Sequence, residues 1–117
     1  MNVSRWLSAT VACGLAAAVL PLHAAEAGDA AAGKAKNSMC IGCHGIEGYR
    51  TAFPAVYSVP KLGGQHADYI VSALRAYKSG ERSHPSMRGI VAGLSDKDMA
   101  DLAAYYASEA TRSAASK

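Results

Sequence analysis

The chain has 117 residues and a mass of 12.1 kDa, room for one small domain, and its 12 basic and 9 acidic residues leave a net charge of +3. Half of it is apolar, but 18 of the 59 apolar residues lie in residues 1–27 and 17 of the 41 that follow are alanine, which buries little surface. This excludes a large multidomain enzyme and an ordinary well-filled core, and the dispersed charges give no basic stripe for nucleic acid.

The leader comes first. Arg5 supplies a positive start, Trp6 to Leu22 run apolar and uncharged, and small residues follow Pro21. This pattern predicts a secretory signal peptide over residues 1–27, with Ala25-Glu26-Ala27 as an A-x-A site and cleavage between positions 24 and 27. The alternatives are a retained membrane anchor, since about 17 apolar residues reach the lower limit for a span, and a lipid-modified Cys13. Cleavage leaves 11 basic and 8 acidic residues, no membrane span, and a periplasmic location.

In the segment from Gly28, Asp29 is a good N-cap and alanines follow, which predicts a helix from about Ala30 to Met39. Residues 45–65, with Gly45, Gly48, Pro54, Pro60, Gly63 and Gly64, read as loop. A second helix is expected from about His66 to Ser79, with Ile70, Ala73, Leu74 and Tyr77 on one face and Gly80 as its stop. Residues 81–94 read as a polar loop. The last helix opens at Ser95 with Asp98 three residues on, and Met99, Leu102, Ala103 and Tyr106 form its buried stripe. Residues 110–117 read as a flexible tail. No strand alternation appears, so the fold class is all-α.

Cys40-Ile41-Gly42-Cys43-His44 is a C-x-x-C-H pentapeptide, the signature of c-type haem attachment. Two cysteines three apart can form thioethers to both vinyl groups of one porphyrin, and His44 then faces the iron. A thioredoxin-type C-x-x-C requires a βαβ context that is missing, and a structural zinc site requires further ligands at short spacing. The candidates for the sixth iron position are Met39, Met87, Met99, His66 and His84. Met39 adjoins Cys40, Met99 lies on the core stripe of the last helix, and His66 starts a helix. Met87 stands in the polar loop with no packing role there, which makes it the preferred ligand, with His84 the runner-up.

The segment from Gly28 to about Ser108 resembles the class I monohaem cytochromes c, in particular those similar to cytochrome c553 and to single cytochrome c4 domains. The resemblance rests on Gly28-Asp29-Ala30-Ala31-Ala32-Gly33-Lys34, Cys40 to Gly45 and Pro60-Lys61-Leu62-Gly63-Gly64-Gln65. Tyr69 to Leu74, Tyr77, Gly80, Arg82, Met87, Leu94-Ser95-Asp96 and Ala104-Tyr105-Tyr106 extend it. It implies a class I fold of about three main helices around one covalently bound haem c, with a domain over 28–109. It also implies that the Pro60 carbonyl accepts a hydrogen bond from His44, that Leu62 packs on the porphyrin, and that Gly33 lets the first helix cross the last against Tyr105 or Tyr106. Gln65, Tyr69 and Arg82 are candidates for propionate contacts, with surface or helix-end roles as the alternative. The chain departs from the family pattern at Asn37, where an aromatic residue is common, so the crossing is either less filled or completed by Tyr105.

The expected function is a periplasmic single-electron carrier with His44 and Met87 as axial ligands, non-enzymatic and monomeric. Its redox partners are expected to be a dehydrogenase or bc1-type complex on one side and an oxidase or reductase on the other. A haem subunit of a larger oxidoreductase is the alternative. A gas-binding protein with an open sixth site is a third reading. The thin, alanine-rich core fits a shell of short helices built around a ring.

Overall fold

The computed structural model describes residues 27–53 and 56–115. Apart from Ala27, the expected leader with its cleavage site and Cys13 lies outside the described residues, as do Pro54 and the end of the tail.

Asp29 caps α1 (Ala30–Lys36), its carboxylate accepting from the N–H groups of Ala31 at 2.8 Å and Ala32 at 3.4 Å. The single helix expected to Met39 is in fact two. Asn37 sits at φ −80°, ψ 0° and ends α1, and its carbonyl accepts from the N–H groups of Cys40 and Ile41 to start α2 (Ser38–His44). Asparagine weakens a helix interior because its side chain competes with the backbone ladder. The break places the whole C-x-x-C-H motif on its own short helix.

The chain then forms a hairpin of two short strands, β1 (Arg50–Thr51) and β2 (Tyr57–Ser58), paired antiparallel with Arg50 opposite Ser58 and Thr51 opposite Tyr57. Strands of two residues are too short to leave an alternating pattern, so the sequence showed only loop there. Helix α3 (Ala67–Ser79) follows from His66 as N-cap and stops at Gly80, whose φ of 91° is left-handed.

The loop expected over 81–94 contains a further helix, α4 (Pro85–Val91), capped by His84 with Pro85 in its first turn. This corrects the sequence reading of Met87, which lies in a helix and not in an irregular loop. A proline at the first helical position starts a helix as readily as it marks a loop. Helix α5 (Asp96–Ala115) begins with a reciprocal cap: Ser95 N–H donates to the Asp98 carboxylate at 2.9 Å, and Asp98 N–H to the Ser95 hydroxyl at 3.1 Å. It continues into the segment expected as a tail, because residues 110–115 contain three alanines and neither proline nor glycine.

Helices α1 and α3 both pack on α5. The core stripe of α5 is as expected, with Met99, Leu102, Ala103 and Tyr106 all buried. Ile70, Ala103, Tyr105 and Tyr106 form the central cluster, and Cys40, Leu62, Val71 and Leu74 pack against it. Where α1 crosses α5, a Cβ on Gly33 would stand 2.8 Å from the Tyr105 Cβ, which makes Tyr105 the aromatic residue at the crossing. Asn37, four residues after Gly33, is itself buried.

An ion cluster fastens this crossing. Asp101, 1 % exposed, accepts from the Asp29 backbone N–H at 2.7 Å and from Lys36 at 2.8 Å, and is also bonded to Lys97. Lys36 reaches Asp98 as well, at 2.6 Å. The Asp29 N–H first, then the two ammonium groups, hold the Asp101 carboxyl well below the usual carboxylate range. Lys36, bonded to both aspartates, is pushed up to about 12.

Candidate functional site

The C-x-x-C-H helix presents its residues in two directions. Cys40 is half-buried against the central cluster, while Cys43 and His44 line a cavity of about 380 Å³, within the size range of cofactor pockets. Both thiols are free in this structure. Burial pushes the Cys40 thiol up, the opposite of what a reactive thiolate needs and of no consequence to a thioether, which has no proton to lose. Among the described residues no group of three or more His, Cys, Asp or Glu is placed to hold a metal ion.

His44 closes α2, and its Nδ1 lies 2.7 Å from the Pro60 carbonyl oxygen. A carbonyl only accepts, so Nδ1 carries a proton, and in the neutral ring this tautomer leaves the lone pair on Nε2. The resemblance anticipated this contact. Leu62, two residues on, is half-buried between the central cluster and the cavity. The face of α3 read from periodicity also lines the cavity, through Ile70, Ala73, Leu74 and Tyr77.

The five candidates for a second iron ligand fall into two groups. Met99 is buried within the α5 core, His66 is exposed at the head of α3, and neither lines the cavity. Met39, Met87 and His84 do. Met39 is 65 % exposed on the attachment helix, beside Cys40. His84 uses Nδ1 to accept from the Met87 N–H at 3.4 Å, and its ring meets Tyr57 edge-on at 5.0 Å. Met87 is half-buried, with its sulfur committed to no hydrogen bond among those of the described residues.

Gln65, Tyr69 and Arg82 all border the cavity. Gln65 accepts from the His66 N–H at 2.8 Å, and Arg82 lies over the Tyr77 ring at 5.0 Å. Sequence reasoning missed Tyr57 and Ile90 among the lining residues. Their signal was faint, since one follows a proline-containing loop and the other belongs to a helix too short to show a periodic face.

These residues suit a haem c. The cavity walls are largely apolar side chains, both cysteines are available as thiols, and the His44 tautomer leaves a nitrogen lone pair for iron. A short-helix shell around such a cavity, with a C-x-x-C-H motif at its edge, defines the class I cytochrome c fold. The chain belongs to the cytochrome c family, which it matches over residues 25–108.

Over 83 residues it is 45% identical to cytochrome c4 of Pseudomonas aeruginosa, covering 71% of this chain and 39% of that protein. It is also 45% identical over 86 residues to cytochrome c-554(548) of Halomonas halodenitrificans, covering 71% of this chain and 99% of that one. Among solved structures, reduced recombinant cytochrome c4 from Pseudomonas stutzeri is similar with a TM-score of 0.50 and 32% identity, over 69% of this chain and 50% of that one. The chain thus spans half or less of the cytochromes c4 and nearly all of the cytochrome c-554(548).

Proposed function

We propose that this chain is a periplasmic single-electron carrier with one haem c, attached through Cys40 and Cys43 and ligated by His44 and Met87. The observation that carries this reading is the 2.7 Å contact from His44 Nδ1 to the Pro60 carbonyl, with Met87 on the same cavity. Export is supported by the leader pattern of residues 1–27, and +3 overall is compatible with soluble protein partners.

When bound, the haem supplies a one-electron ferric–ferrous couple. The chain's own residues set its conditions. Pro60 fixes the plane and tautomer of the His44 ring, which keeps Nε2 directed as a ligand. Leu62, Ile70 and Leu74, which line the cavity, would keep water from a bound ring, and their low polarity would disfavour the extra charge of the oxidised state. A methionine sulfur on the sixth position raises the potential relative to two imidazoles and leaves no open site for a substrate. The role is therefore electron transfer and not bond-making catalysis. The donor would be a dehydrogenase or bc1-type complex, the acceptor an oxidase or reductase, and transfer would use the ring edge near Cys40 and Cys43.

Purified from the periplasm, the protein should show a six-coordinate low-spin spectrum and a mass lacking the leader. A five-coordinate spectrum would overturn the ligation, a retained leader its cleavage, and recovery of the protein in the cytoplasmic fraction the location.

A second reading, a haem subunit held in a larger oxidoreductase, is favoured by exposed apolar side chains: Phe53 is 86 % exposed and Ile41 and Val56 also face solvent. Co-purification of a larger partner at fixed stoichiometry would select it.

A further inference from the structure

We infer that His84 and Tyr57 are positioning residues that hold Met87 in place, acting through the first turn of α4. This rests on the reading of Met87 as the sixth ligand.

The first turn of any helix leaves N–H groups without partners inside the helix. In α4, Pro85 contributes none, and the N–H of Met87 is satisfied by Nδ1 of His84, which stands extended at φ −156°, ψ 111° before the helix. Serine, threonine, aspartate and asparagine are the usual residues for that duty. A histidine adds what they lack, a flat ring for a neighbour to hold. Here the neighbour is Tyr57, whose ring meets the imidazole edge-on with centroids 5.0 Å apart and planes at 64°.

Tyr57 is itself fixed from behind. It pairs with Thr51 across the hairpin, and its N–H donates to the Thr51 hydroxyl at 3.3 Å. It is about half exposed, so burial in a core does not explain its position. Three residues further on, Pro60 accepts from His44. The segment from Tyr57 to Pro60 therefore braces both ends of the site, touching the His44 ring at one end and the cap of the Met87 helix at the other. His44, Tyr57, Pro60, His84 and Met87 all line the one cavity. Loosening the brace at Tyr57 or His84 frees the first turn of α4, and with it the Met87 side chain, without touching the His44 side.

The test uses the haem-loaded protein and its His84→Ala, His84→Asn, Tyr57→Ala and Tyr57→Phe variants. Three quantities are read: the weak red band of the ferric methionine–iron bond, the reduction potential, and the rate of carbon monoxide binding to the ferrous form. His84→Ala should bind carbon monoxide roughly fivefold faster, the effect of losing one N-cap, with a weaker red band and a lower potential. His84→Asn, which restores a capping oxygen, should recover most of the rate. Tyr57→Phe keeps the ring contact and should shift far less than Tyr57→Ala, which should move in the direction of His84→Ala. The Tyr57 pair carries the test if His84→Ala fails to take up haem. A wild type without the red band would reject Met87 as ligand, and this inference with it. A normal band in the wild type, with His84→Ala and Tyr57→Ala unchanged in rate and potential, would overturn the positioning role alone. Complete loss of the low-spin form in both His84 variants would also overturn it, by making His84 the ligand.

Discussion

A Cβ placed on Gly33 would lie 2.0 Å from the carbonyl oxygen of Asp101, so α1 and α5 touch backbone to backbone at this pair. The chain just ahead of α1 approaches α5 as closely, since a Cβ on Gly28 would stand 1.9 Å from the Ala100 carbonyl oxygen. The contact matters for function because α1 leads directly into the helix that carries Cys40, Cys43 and His44.

Gly33→Ala should therefore destabilise the haem-loaded protein despite alanine's better helix propensity. The obstacle is backbone, not a side chain that can rotate away, so about 2–3 kcal/mol is expected from overpacking. A thermal melt that stayed in place or rose would show that the two helices separate at little cost.

The cluster around Asp101 predicts an acid limb. Asp101 and Asp98 both titrate below their ordinary values, Asp101 chiefly through the Asp29 N–H and Asp98 chiefly through Lys36. A lowered folded value means the stabilisation is complete above the unfolded value, about 3.9, and is lost as pH falls below it. Lys36 works in the other direction, its contribution present below about 10.4 and lost as pH rises through about 12. Stability against urea should thus be level with respect to these groups from about pH 5 to pH 9 and fall on both sides. Asp101→Asn should flatten the acid fall while lowering the plateau. An acid limb as steep in the variant as in the wild type would place the effect elsewhere.

The face of α3 that lines the cavity predicts dependence of folding on haem. Covering a few hundred Å² of apolar wall is worth on the order of several kcal/mol at about 25 cal/mol per Å², a large share of the stability of so small a domain. The Cys40→Ala, Cys43→Ala double variant, produced without haem, should show reduced helical circular dichroism and a broad melt. A sharp, cooperative transition in that protein would mean that α1, α3 and α5 form a sufficient core by themselves.

Much of this was legible in the residues. C-x-x-C-H is local chemistry, so the attachment motif could be read directly, and the periodic faces of α3 and α5 stood out because those helices are long. The cap at Ser95 and Asp98 was equally plain. What escaped was short or non-local. Helix α4 has only seven residues, too few for a periodic face, and its histidine cap lies outside the usual capping residues. The split at Asn37 depends on one dihedral, and the hairpin on two residues per strand. Asp101 carries no local signal in the sequence that sets it apart from the other polar residues of the last helix. Its role appears only when Asp29, 72 positions earlier, brings its N–H to the carboxylate.

The most direct measurement is a redox titration of the haem-loaded wild type beside Met87→Ala, with the ferric red band recorded at each point. His44–Met87 ligation predicts the band in the wild type, its loss in the variant, and a potential lowered by on the order of 100 mV, a fraction of the roughly 0.8 V that axial ligands span. An unchanged band and potential in Met87→Ala would contradict it.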